Sequence, residues 1–303
     1  MELLWGIDLG GTKIEGVVIE DIENMNVLKR MRLPTEASKG YVHIIRQIHK
    51  LVETLVAEIG IKPAKIGIGT PGTLDPTTQK LKNANTVSLN GKPFKSDLEN
   101  LLGIPVEMAN DANCFALAET KLGVVKDVLP DAKVVWGIIM GTGVGSGVVI
   151  NGKILNGRHG IGGEWGHNFL DESGGQCYCG KTGCVETVIS GPALTRYYNG
   201  LLGTDLRLPE IVDRFYSGMD NQATETIERL IYFFGRGAGN VINVIDPDVI
   251  VIGGGVGNID LLYSEGFESV RQHVFNDKLE TLFLKPKLGD SAGVFGAALL
   301  CAP

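Results

Sequence analysis

Cysteine is scarce in these 303 residues: five in all, three of them crowded between 177 and 184. Such sparse usage excludes the disulfide framework of small secreted domains, and a tight cluster in a chain of this size more often binds metal. Basic charge is also in deficit. Lys and Arg number 28 against 35 Asp and Glu, a formal net charge of -7, which argues against a nucleic-acid partner because neutralising phosphates takes clustered cations. Uninterrupted apolar runs of membrane-spanning length are missing too: VVWGIIMGTGVGSGVVI at 134 to 150 is broken by glycines and reads as buried strands and turns, so we expect no membrane span. The beginning, MELLWGIDLGG, has no basic stretch ahead of an apolar core; we expect no signal peptide and a cytoplasmic location. Neither GxxxxGK[ST] nor a dinucleotide fingerprint follows the first strand, and the lone match to the former, GQCYCGKT at 175 to 182, lies inside the cysteine cluster, so we expect no P-loop enzyme.

Glycine, by contrast, is plentiful, and its placement is informative. LLWGIDLGGTKIEGVVIE (3 to 20) aligned with VVWGIIMGTGVGSGVVIN (134 to 151) shares eight of eighteen positions. Each copy predicts strand, glycine turn, strand: a hairpin able to press backbone amides against a phosphate. Two such hairpins predict a duplicated domain with a cleft between the halves; taken singly, either hairpin could be a chance likeness. Between them, YVHIIRQIHKLVETLVAEIG (41 to 60) has helical spacing, AKIGIGT (64 to 70) reads as a buried strand, and IPVEMANDANCFALAETKLG (104 to 123) as strand then helix. NQATETIERLIYFFGRGAGNVINVIDPD (221 to 248) predicts a long helix ending before Pro247, and VIVIGGGV (249 to 256) a strand emptying into glycines. The alternation is that of an α/β protein. We place the domain boundary near 112 to 125, giving an N-terminal domain at 1–115 with the segment 290–303 packed back on it, and a larger domain at 116–289.

Three motifs carry chemistry. In DLGGTK, Asp8 precedes a turn of Gly10, Gly11, Thr12 and Lys13; the loop amides suit a phosphate and the carboxylate suits Mg²⁺. The second hairpin offers Thr142 and Gly143 but has Ile139 in place of the acid, and Gly253 to Gly255 form a third glycine strand end. In MANDANCFALAE, Asp111 opens the predicted helix, where a carboxylate either caps backbone amides or acts as a base. Asn110 beside it favours a pair that grips polyol hydroxyls, with Asp111 accepting a proton. In GGEWGHNFLDESGGQCYCGKTGCVE, one histidine and three cysteines, His167, Cys177, Cys179 and Cys184, form a closed tetrahedral Zn²⁺ set, structural rather than hydrolytic. Simple buried thiols are the alternative. With zinc on one ring nitrogen the other is left for a ligand, and the loop fixes Glu164 and Glu186 relative to it. Cys114 and Cys301 read as small apolar packing.

DLGGTK, ANDAN, GEWGH, CYCGKTGCVET and DPDVIVIGGG together resemble the ROK family of sugar kinases and sugar-responsive repressors, in order along nearly the whole chain. The resemblance implies a two-domain actin-like ATPase (ribonuclease H-like) fold closing over ATP and a hexose, usually as a homodimer. It implies Asp111 as general base, Asn110, Glu164, His167, Glu186 and Gly72 at the sugar, and the glycine loops at ATP: Asp8, Gly10, Gly11, Thr12, Lys13, Thr142, Gly143, Gly254 and Gly255. Zn²⁺ falls to His167 and the three cysteines. NANTVSLNGKPF, GHNFL and GDSAGVFGAA are most similar to the fructokinase and mannokinase branch, with N-acetylglucosamine kinase or glucokinase as alternatives. A non-catalytic sugar sensor is a rival of another class, disfavoured because both acids are present. Repressors of the family carry an N-terminal helix-turn-helix, for which we expect no room ahead of the first hairpin.

Overall fold

The computed structural model describes residues 3–22 and 25–302. In chain order it begins β1 (Leu4–Leu9), β2 (Lys13–Asp21), β3 (Asn26–Pro34), α1 (Tyr41–Ile59), β4 (Ile66–Thr70), β5 (Thr73–Leu74), β6 (Leu81–Lys82), α2 (Phe94–Leu102), β7 (Val106–Asn110), α3 (Asp111–Lys121) and α4 (Val124–Val128). It continues β8 (Val134–Met140), β9 (Val144–Ile150), β10 (Lys153–Ile154), α5 (Val185–Ile189), α6 (Gly191–Leu202), α7 (Leu208–Ser217), α8 (Asn221–Ile245), β11 (Val249–Gly253), α9 (Gly254–Gly257), α10 (Glu265–Arg271), β12 (Leu282–Leu284) and α11 (Ala292–Leu299). Two compact units result: Met1–Pro130 with Gly152–Gly162 and Lys287–Pro303, and Asp131–Asn151 with Gly163–Pro286. Among the described residues no helix is long and apolar enough to cross a membrane.

In the first unit the sheet runs β3-β2-β1-β4-β7, antiparallel at β3/β2/β1 and parallel at β1/β4/β7. Ile44, Ile48, Leu51, Val52 and Leu55 recur at helical spacing on α1 and are buried, so that stripe covers one sheet face. The helix stops at Gly60, whose φ of 75° needs no Cβ penalty. Leu51 and Leu55 sit over Gly16, the cross-strand partner of Ile7. Alternation along β1 turns Gly6 to the opposite face, and there α11 lies: a Cβ on Gly6 would stand 2.4 Å from Val294 O, and one on Gly67 1.8 Å from Ala297 O.

The second unit repeats the plan in β9-β8-β11-β12, with β8/β9 antiparallel and β8/β11 and β11/β12 parallel. Its core gathers Trp136, Ile138, Ile250 and Ile252 from the sheet with Leu230 and Phe234 of α8. That long helix ends at Asp246, in the left-handed region at φ 43°, before Pro247. Both hairpins expected from the glycine pattern are present, but their registers differ. Leu9 pairs with Ile14 around Gly10, Gly11, Thr12 and Lys13, whereas Met140 pairs with Val144 around Gly141, Thr142 and Gly143. The second turn is one residue shorter.

Candidate active site

In the first unit, β1 ends beside Asp8 and the turn after it is closed by Gly10 N donating to Lys13 O at 2.9 Å. Thr35 fastens the turn twice, its amide donating to Thr12 O at 2.9 Å and its hydroxyl to Gly10 O at 2.7 Å. Gly11 and Thr12 are left exposed, and a Cβ on Gly11 would meet only Thr86 Oγ1, at 3.9 Å. Lys13 leans toward the buried Glu15 at 3.8 Å, which is also held by Arg30 and, at 2.8 Å, by Arg32. Burial, then the neighbouring Asp111 and Glu15 carboxylates, push the Asp8 carboxyl up to about 7.

β7 ends and α3 begins at Asn110 and Asp111. Asn110, in extended backbone at φ -65° and ψ 151°, is the N-cap: its Oδ1 accepts from Ala112 N at 2.8 Å. Asp111 occupies the first helical position, exposed, with Oδ1 on the same amide at 2.8 Å. The cap expected of Asp111 is thus shared with Asn110, whose amide nitrogen is not spent on it. Gly72 is buried under its own turn: Thr70 Oγ1 donates to Gly72 O at 2.9 Å, and a Cβ on Gly72 would be 2.6 Å from Lys82 O. Close packing therefore accounts for that glycine.

In the second unit, a Cβ on Gly141 would lie 3.9 Å from Gly255 N, so the turn carrying Thr142 and Gly143 adjoins the one carrying Gly254 and Gly255. Gly254, at φ 83°, would place a Cβ 2.3 Å from Met140 O, while Gly255 is exposed with nothing within 4 Å. Open backbone of this kind suits a phosphate. Glu186, in the first turn of α5, accepts from Val144 N at 2.9 Å through Oε2, which binds α5 to the second hairpin. The hairpin also seats GGEWGH: Trp165 meets Trp136 edge-on at 5.0 Å, and a Cβ on Gly166 would be 1.9 Å from Val144 O. Burial pushes Glu164 above the usual carboxylate range, His167 opposing the shift and Glu186 adding to it.

His167, Cys177, Cys179 and Cys184 come together with their donor atoms all within 4.8 Å of one another. Cys177 Sγ is 3.6 Å from His167 Nδ1 and Cys179 Sγ 3.6 Å from Cys184 Sγ. Thiolates at zinc-bond length in a tetrahedron lie about 3.7 Å apart, so the set fits Zn²⁺. One expectation needs correction. The second ring nitrogen of His167 is not left open: Nε2 is 2.9 Å from the hydroxyl of Tyr178, whose ring stands edge-on to the imidazole at 5.1 Å. Tyr178 was not legible as a site residue; its place between two cysteines is the only signal the sequence offers.

A family profile described as ROK family matches residues 4–303. The chain is 35% identical to the N-acetyl-D-glucosamine kinase of Pasteurella multocida strain Pm70, over 98% of this chain and 98% of that one. It is 35% identical to the N-acetyl-D-glucosamine kinase of Vibrio cholerae serotype O1, over 98% and 99%. Among solved structures, the ROK hexokinase of Thermus thermophilus superposes with a TM-score of 0.86 at 31% identity, covering 98% and 97%. A ROK family glucokinase of Streptomyces griseus, in complex with glucose and AMPPNP, superposes with 0.77 at 28%, covering 98% of each chain.

Proposed function

The chain belongs to the ROK family and is an ATP-dependent sugar kinase with the actin-like ATPase fold; we propose that it phosphorylates the 6-hydroxyl of a hexose, with N-acetylglucosamine as the preferred acceptor. The strand-to-helix junction that sets Asn110 and Asp111 side by side, next to the Asp8 carboxyl, carries this reading. In it, Asp111 takes the hydroxyl proton as the sugar oxygen bonds to the γ-phosphorus and the bond from that phosphorus to the β-phosphate oxygen breaks, leaving ADP. A positioned base contributes about 10² to 10⁴ in rate. In this reading Asn110, Glu164 and Glu186 hold sugar hydroxyls, His167 joins them where a sugar hydroxyl takes the place of Tyr178 at Nε2, Gly72 keeps the turn after β4 closed, and Gly10 to Lys13, Thr142, Gly143, Gly254 and Gly255 hold ATP. Mg²⁺, when bound near Asp8, supplies charge neutralisation on the transferring phosphoryl group. His167 and the three cysteines would hold a structural Zn²⁺. A homodimer in the cytoplasm belongs to the same proposal, on the resemblance alone.

The acceptor rests on the relatives at 33–35% identity over 98% of the chain, which are N-acetyl-D-glucosamine kinases. Fructose or mannose is the second reading, favoured by the NANTVSLNGKPF and GDSAGVFGAA segments. A coupled ADP assay with N-acetylglucosamine, fructose, mannose and glucose should give the largest kcat/KM for N-acetylglucosamine; a larger value for fructose or mannose selects the second reading. In the same assay Asp111→Asn should lose at least about 10² in kcat while sugar KM holds. Near-normal turnover by that variant removes Asp111 as the base.

A further inference from the structure

Glu119 lies about two turns along α3 from Asp111 and has no exposed surface. Its carboxylate accepts three backbone amides: Oε2 from Val124 at 3.0 Å and Lys287 at 3.1 Å, Oε1 from Leu288 at 2.9 Å. The fit is close enough to dictate a neighbour, since a Cβ on Gly123 would stand 2.0 Å from Oε2. Val124 opens α4, after which the chain leaves the first unit at Pro130; Lys287 is the residue at which it returns for the last time. A single buried side chain therefore ties an outgoing and an incoming segment to one helix.

From Leu288 the chain runs directly into α11, and that helix meets the chemistry at van der Waals range. A Cβ on Gly293 would be 3.0 Å from Asp8 Oδ2, and one on Gly296 1.9 Å from Cys114 O of α3. The start of α3 carries Asp111, and α11 backs Asp8; the Glu119 carboxylate binds α3 to the segment that leads into α11. Interiors transmit displacements because they are close-packed. We propose that Glu119 is a positioning residue for phosphoryl transfer, fixing the spacing of Asp8 and Asp111 through α3 and α11 without touching substrate. The inference rests on the roles assigned to those two acids above.

Glu119→Gln keeps the shape but turns an amide NH₂ toward backbone donors, opposing like to like. Gly123→Ala displaces the carboxylate while leaving residue 119 intact, so it decides the matter if Glu119→Gln does not fold. Full-length protein is assayed well below its melting temperature, alongside hydrogen exchange. We expect kcat to fall about tenfold or more with sugar KM within about threefold, since misplacement of catalytic groups costs rate more than binding, and exchange to quicken at 110–113. Asp127→Asn, which removes only the exposed pair with Lys287, should match the parent. Variants with kcat within about twofold of the parent, and faster exchange confined to 119–124 and 287–289, would show a purely structural clamp and overturn the proposal. Failure of the kinase reading shows differently, as a parent that makes no ADP; the exchange at 110–113 still decides the role of Glu119 in that case.

Discussion

Asp8 shows how a single carboxyl trades stability for function. Burial, Asp111 and Glu15 raise it from the ordinary 3.8 to about 7. A folded-state value above the unfolded one means that folding favours the protonated form. The associated stability is therefore fully present below about 3.8 and is lost progressively as pH climbs to 7. Without a divalent cation, Asp8→Asn should be more stable than the parent at about pH 8, by on the order of 1–2 kcal/mol, the gap closing by about pH 4. Thermal melts across that range check the sign, and a variant less stable at high pH would refute it. Turnover should be lost in the same protein, because the carboxylate that destabilises the fold is the one suited to a cation. Asp8 and Asp111 were legible as residues, since each breaks a hydrophobic pattern, Asp8 two residues before Gly10 and Asp111 beside Asn110. Their mutual influence was not, because it depends on β1 and α3 lying together. Glu119 was wholly opaque: two of its three partners are 168 and 169 positions away.

Elements were more legible than contacts. Helical spacing at 41–60 and the glycine that ends it predict α1 (Tyr41–Ile59) to within a residue, because a buried stripe and a positive-φ stop are both local requirements. The two hairpins follow likewise, yet an ungapped alignment hides the shorter second turn: Trp5 pairs with Val18, but Trp136 pairs with Val148, one place off the sequence echo. Side chains alternate, so that step exchanges which residues of β9 share a face with the tryptophan. Glycines, alike in sequence, separate by surroundings. Gly67→Ala would drive a Cβ into the backbone of α11 at 1.8 Å, where no side chain can yield, and should cost about 3 kcal/mol or more in denaturant unfolding. Gly11→Ala has open space to 3.9 Å and should leave stability within about 0.5 kcal/mol. If the first turn presses its backbone on a phosphate, the added methyl should raise KM for ATP several-fold in that otherwise stable protein; an unchanged KM would count against Gly10 to Lys13 as the phosphate loop.

For the whole molecule, duplication is the organising fact. Both sheets place an antiparallel hairpin beside parallel strands in the same order, β2-β1-β4-β7 and β9-β8-β11-β12, and each unit has its own apolar core. The halves then specialise. The first keeps the acid at Asp8, where the second has Ile139, and the second alone carries the one-histidine, three-cysteine loop. Little regular structure supports that loop: the isolated bridges Phe169 with Cys184 and Gln176 with Thr182, and one short turn at Glu172–Gly174. On the proposed reading, a closed metal shell would add a constraint on His167 and on the start of α5, where Glu186 sits. Elemental analysis should find one zinc per chain, and chelation should quicken amide exchange from 163 to 190 while β1, β4 and β7 keep their protection. Sugar affinity by calorimetry should drop at least about tenfold, in line with losing the supports of bound groups, and nucleotide affinity should hold. Protection lost in both units at once would mean that the metal stabilises the fold as a whole, and sugar affinity unchanged after chelation would separate the zinc loop from the sugar site altogether.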